Sequence, residues 1–377
     1  MVLEGGPIVP DTTEVGDRPL HRAIQRRLLL VLAAGACALL AVGLLAATRS
    51  HHPVPSGSTR KIPTSLSCPQ DRVCIAVDDL GDTLDLHNTS WSTPRVRERN
   101  GLSSISCASV TFCVAGGVNG DAVTYDGVSW SSRRSIDRSA DNYSDSFGTT
   151  GISGVSCPST TFCVAVDGLG RAVRFNGNTW SAPLPIEPAA MAEADLAQRA
   201  AGIVGISCPT ATFCGAVTGL GRVLTYGGHS WSTPVALEPA RLQTQALRLG
   251  IPALTGISCP AATRCVAVDS SGKVFTYNGS SWSGPTSTDP SSVSPGADGG
   301  LTAVSCPSVN FCVAVDASGS AVTYNGRSWS DPAQLDLTTG LAAVSCASDS
   351  FCVALNDLGE ALTFQSGSWS SPRDIDI

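Results

Sequence analysis

The chain has 377 residues with 24 basic and 31 acidic side chains, for a net charge of −7, and only 15 % of its residues are charged. It holds two lysines, Lys61 and Lys273, and shows no basic patch, which excludes a nucleic-acid partner. An apolar share of 42 % with 38 Gly and 23 Pro suits short strands joined by many turns.

In chain order, residues 1–27 are polar and without hydrophobic periodicity, and are expected to be a disordered cytoplasmic tail. Leu28 to Ala47 is a run of 20 apolar or small residues without a charge, and a helix of that length spans about 30 Å, the thickness of a bilayer core. The expected membrane helix covers 28–48. Arg22, Arg26 and Arg27 precede it and Arg49 follows, a bias that keeps the N-terminus in the cytoplasm. An uncleaved signal-anchor is the leading reading. A cleaved signal peptide ending near Ala46 and Ala47 stays open, as does lipidation of Cys37. Against lipidation, Ala34-Gly35-Ala36 is a poor lipobox and the apolar run continues past the cysteine. All three readings place the rest of the chain outside the cytoplasm. Residues 49–61 read as a linker.

From residue 62 the sequence repeats. Seven units each carry a Cys-x5-Cys pair: Cys68 and Cys74, Cys107 and Cys113, Cys157 and Cys163, Cys208 and Cys214, Cys259 and Cys265, Cys306 and Cys312, Cys346 and Cys352. A tryptophan stands 23 positions after each first cysteine: Trp91, Trp130, Trp180, Trp231, Trp282, Trp329 and Trp369. These are all seven tryptophans and 14 of the 15 cysteines, so the repeat is not a chance pattern.

Each unit reads as four strands. In the third, "GISGVSC" alternates, "FCVAVD" is apolar enough to be buried on both faces, "RAVRF" follows a Gly-ended turn, and "TWSAPLPI" holds prolines that suit only an edge. Four antiparallel strands per unit of 39 to 51 residues predict an all-β, seven-bladed β-propeller over 62–377, closed with whole blades.

The cysteine pairs fit neither zinc spacing nor a ligand cluster, since only His87 and His229 lie in the repeats. Positions i and i+6 face each other across a short hairpin, so seven disulfides between first and second strands are expected. The tryptophans, with an aromatic five positions earlier (Tyr125, Phe175, Tyr226, Tyr277, Tyr324, Phe364; Leu86 in the first unit), are expected to pack structurally between blades.

The frame from first cysteine to tryptophan never changes length. The offsets from each tryptophan to the next first cysteine are 16, 27, 28, 28, 24 and 17, so every insertion falls in a connection between blades, on one face. Four insertions result: Asp137–Thr150, Glu187–Gly202, Glu238–Leu254 and Thr288–Gly300. The middle two carry a helix-start Pro and a terminal Gly and predict two short helices, with Leu242, Ala246 and Leu249 on one face of the second. The turns after the second strands carry Asp78, Asp167, Asp269, Asp316 and Asn356. These read either as a ligand-binding ring at the channel mouth or as turn caps bonding their own backbone.

The unit "SCPSxxFCVAVDxxGxxxTYNGxSWS", clearest in residues 304–330, resembles the disulfide-stapled propeller repeats of exported or membrane-anchored actinobacterial proteins. The resemblance covers about 62–377 and implies fold and location, with no assigned activity and no catalytic residues. The expected function is an extracytoplasmic, membrane-anchored binding or scaffold propeller, monomeric, recognising an envelope protein or cell-wall glycan through the insertion-bearing face. A carbohydrate-active enzyme with carboxylates at the channel mouth, or a purely structural envelope protein, are the alternatives. No nucleophile motif or phosphate loop is present, and no cofactor or metal is expected.

Overall fold

A computed structural model describes residues 61–96, 100–138, 151–187, 202–249, 251–288 and 300–375. The chain divides into a unit Met1–Thr59 and a unit Arg60–Ile377. The expected tail, signal-anchor and most of the linker fall in the first unit and lie outside the described residues. No helix among the described residues is long and apolar enough to cross a membrane.

The second unit is a ring of seven antiparallel sheets, one per sequence repeat, in simple strand order. In blade three the order is Ile152–Ser159, Phe162–Asp167, Arg171–Phe175 and Leu184–Pro185. Every second strand is almost wholly buried, as its continuous apolar composition requires. First strands stand side by side around the centre. Pro63–Gln70 of blade one packs against both Leu102–Ser109 of blade two and Leu341–Ser348 of blade seven. The ring therefore closes with whole blades and exchanges no strand.

The core consists of seven apolar clusters, each shared by two neighbouring blades. Phe162, Val164 and Val166 of blade three pack against Ile206, Cys214 and Leu224 of blade four. The closing cluster joins Phe351, Val353 and Leu355 to Leu66, Cys74 and Leu84. No blade buries its faces alone, which is why the ring must close to be stable.

Serine stitches the same joints. The residue before each first cysteine is a serine whose Oγ accepts the N–H of the next blade's first cysteine, as from Cys107 to Ser67 at 3.0 Å and from Cys157 to Ser106 at 2.9 Å. The seventh such bond closes the circle, from the Cys68 N–H to Ser345 Oγ at 3.0 Å.

All seven expected disulfides are present, with Cα atoms 3.9–4.1 Å apart. Cys107 and Cys113, and likewise Cys346 and Cys352, face each other directly across the ladder. They sit at the end of the blade remote from the insertions. Trp91 pairs with Leu86, and in blades two to seven the tryptophan meets the aromatic of its own blade, as Phe175 and Trp180 do at 5.2 Å between ring centres. That aromatic in turn meets a phenylalanine of the preceding blade, Phe112, at 6.4 Å. Arg264 takes the phenylalanine's place in blade five and lies 5.2 Å over the Tyr324 ring.

The fourth strand departs from expectation. In most blades it is broken into a bridge at the tryptophan and a two-residue strand further on. The serine after the tryptophan causes the break. Its Oγ accepts a third-strand N–H, as from Arg174 to Ser181 at 3.0 Å, and so replaces a backbone partner. Blade five alone keeps a longer run, Trp282–Ser287.

Of the two expected helices, the second is present as α1 (Ala240–Leu249), with Leu242 buried. The first lies outside the described residues.

Candidate functional site

The insertion-bearing face is built from one joint repeated around the ring. Three segments meet there: the start of the first strand, the turn between second and third strands, and the end of the fourth. In blade three the Gly170 carbonyl accepts the N–H groups of Ile186 and Glu187, both at 2.9 Å, while the Gly168 N–H donates to Gly151 at 3.2 Å. The last glycine of this turn has positive φ in all seven blades. At Gly319 a Cβ would lie 2.2 Å from the Asp336 carbonyl, so no other residue fits. Every connection between blades leaves and returns through this fixed rim.

The five residues read from the sequence as candidate ligands sit inside the joints. Asp78, Asp167, Asp269, Asp316 and Asn356 are all buried. In each, Oδ1 accepts the N–H groups two and four positions on: Leu80 and Asp82 at 3.0 and 2.7 Å, Leu169 and Arg171 at 3.0 and 2.8 Å, Ser271 and Lys273 at 2.9 and 2.6 Å, Ser318 and Ser320 at 2.9 and 2.7 Å, Leu358 and Glu360 at 3.0 and 2.8 Å. They brace the turn, as short polar side chains do. Blade four does the same more weakly, with Thr218 Oγ1 accepting from Arg222 at 3.3 Å. None of the five lines the central cavity.

That cavity, about 270 Å³, is lined by first-strand residues of all seven blades, none of them titratable. Its wall hydroxyls are engaged: Thr64, Thr255 and Thr302 each donate to a carbonyl of the next blade at 2.6 Å. Among the described residues, no group of three or more His, Cys, Asp or Glu side chains is placed to hold a metal ion. His87 and His229 are exposed at the opposite face.

The joints contain a second acidic ring that the motif reading overlooked. An acid stands 30 positions after every first cysteine: Glu98, Asp137, Glu187, Glu238, Asp289, Asp336 and Asp376. Four of these are among the described residues, and all four are buried and reach across to the next blade. Asp137 binds Arg171 at 2.8 Å, and Arg171 also holds Asp167 at 2.7 Å. Glu187 meets Arg222 at 3.3 Å. Asp336 accepts the Asn356 amide at 2.7 Å, and that amide also donates to Glu360 at 2.6 Å.

In two joints a carboxyl faces a second carboxyl. Burial, then the hydrogen bond with Asp137, pushes Asp167 up to about 7 against the pull of Arg171. Burial and the neighbouring Asp269 carboxyl push Glu238 up to about 8. Burial also acts to raise Asp336, but hydrogen bonds from Thr338 and Asn356 outweigh it and hold this carboxyl below its ordinary value. Here the amide of Asn356 stands where the other two joints have a second carboxyl, and it donates to Asp336 instead of repelling it.

No protein-family model matches the sequence, and no curated protein does. Solved structures do match it. "YCF48 bound to D1 peptide" is 13 % identical at a TM-score of 0.57, over 82 % of this chain and 93 % of its own. "YCF48 from Cyanidioschyzon merolae" is 16 % identical at 0.55, over 83 % of this chain and 97 % of its own. "Crystal structure of RRP9 WD40 repeats" is 10 % identical at 0.57, over 82 % and 89 %. The likeness is one of fold. At these identities it shows the propeller and leaves the ligand to the surface of this chain.

Proposed function

We propose that this protein is a membrane-anchored, extracytoplasmic binding propeller that holds a partner protein on its insertion-bearing face. One observation carries the reading: all length variation among the blades leaves a rim whose geometry is the same in every blade. A rigid ring with variable connections on one side is how such scaffolds present a recognition surface. A neighbour of the same fold is seen with a bound peptide, which is compatible with a protein ligand here. Export is supported by seven disulfides, which persist in oxidising compartments, and anchoring by the uncharged run before residue 48. The alternative of a carbohydrate-active enzyme loses ground, because the perturbed carboxyls lie inside joints between blades rather than along an open channel.

The test compares the intact propeller with a variant whose connections 187–202 and 238–254 are shortened to the length of the Asp336–Gly340 link. Both are used to capture partners from envelope extracts, with melting curves to verify folding. The reading expects a discrete partner set that the shortened variant loses. Capture of nothing, or of the same set by both, would sink it.

A further inference from the structure

A feature of the outer wall goes beyond this reading. Three residues after the tryptophan, six blades carry proline: Pro94, Pro183, Pro234, Pro285, Pro332 and Pro372. Blade two has Arg133 there. Proline on an outer strand blunts the edge against pairing with another chain. Blade two is thus the one blade whose outer edge lacks that protection.

The same edge borders a groove. Arg133 turns inward, donating to both Asp121 oxygens at 2.8 and 2.9 Å. Its neighbours Arg134 and Arg138 are exposed, and neither meets a carboxylate among the described residues. With Ser135 they form one wall of a groove of about 490 Å³, whose other wall is Trp180, Ala182 and Pro183 of blade three. The next groove, between blades three and four, lacks this character. It holds about 260 Å³, and its one arginine, Arg174, is engaged with the Tyr226 hydroxyl at 3.0 Å.

We propose that the groove between blades two and three docks an extended, acidic peptide segment of a partner protein. The proline-free edge favours a peptide backbone, because an extended chain can lie along a strand edge. The two open guanidiniums favour carboxylate side chains, each matching a planar fork. The Trp180 ring offers an apolar wall beside them. The site takes Arg138 from the start of the connection that follows blade two, but no residue from the 187–202 or 238–254 connections.

The probe is a synthetic glutamate-rich peptide with blocked ends, titrated against the propeller by fluorescence anisotropy. A lysine-rich peptide of the same length and an oligogalacturonate serve as comparisons. Three proteins are compared: the wild type, R134E/R138E, and R133P, which restores the edge proline. The expected result is binding of the acidic peptide that weakens with salt and falls at least about tenfold in R134E/R138E. R133P should weaken it as well, while the lysine peptide and the oligogalacturonate fail to bind. The charge-reversed residues are exposed, so R134E/R138E keeps the test valid even if R133P does not fold. No binding to the wild type, equal binding by R134E/R138E, or oligogalacturonate binding without peptide binding would overturn the proposal. The shortened-connection variant should bind this peptide unchanged, which separates the outcome from the fate of the insertion-face reading.

Discussion

Each blade has two ends, and they are built differently. The end remote from the insertions is uniform: a disulfide, a serine bond to the next blade and a stacked aromatic set recur with few exceptions. At the insertion-bearing end the backbone joint is constant, yet its buried charges differ from one joint to the next. Asp137 meets Arg171 and Asp167, Glu187 meets Arg222, and Asp336 meets Asn356. The uniform end fixes the ring. The other end keeps its geometry with changing chemistry, and it carries connections of several lengths.

The contrast is most easily broken at the uniform end. Each bridge closes a small loop and contributes about 2 kcal/mol by the chain-entropy model. Reduction should therefore lower the denaturant midpoint far more than any single substitution, as read by guanidinium unfolding with and without reductant. Next in size comes Asn356→Asp. It replaces the amide donor with a third carboxyl pair and leaves Asp336 without its partner, at a cost of about 1–3 kcal/mol above neutral pH. Melting curves at pH 8 and pH 5 should show the loss only at the higher pH. Ser345→Ala removes the acceptor for the Cys68 N–H where the ring closes, and should cost about 1 kcal/mol.

The wild type should itself show a pH dependence. Asp167 and Glu238 titrate at about 7 and about 8 when folded. Unfolded carboxyls titrate near pH 4. The folded state therefore holds more protons than the unfolded state between those values. Stability from these groups is complete below about pH 4 and is lost as pH rises towards 7 for Asp167 and 8 for Glu238. Asp167→Asn with Glu238→Gln should flatten the slope of melting temperature against pH across that window. An unchanged slope would show that the two carboxyls ionise normally.

Much of this was legible in the sequence because its signals are local. Cys68 and Cys74 are six apart on one hairpin, and Gly170 ends a turn within its own blade. The break in the fourth strand was not legible, because it depends on the Ser181 Oγ reaching the Arg174 N–H across the sheet. The acidic ring was present as a constant offset of 30 residues. Its partners lie in the following blade, however, so only the folded ring shows Asp336 meeting Asn356. The turn residue Asp78 was open to two readings, since a bracing carboxylate and a ligand-binding one look alike until the Leu80 and Asp82 N–H groups are placed.

The central claim is that a partner is held by the insertion-bearing face of a ring fixed from its other end. Hydrogen–deuterium exchange of the intact protein, with and without a captured partner, tests this most directly. Protection is expected at the rim, in peptides spanning 137–151, 187–202, 238–254 and 336–340, with the disulfide hairpins unchanged. Protection confined to the hairpins around Cys68–Cys74 and their equivalents would contradict the account.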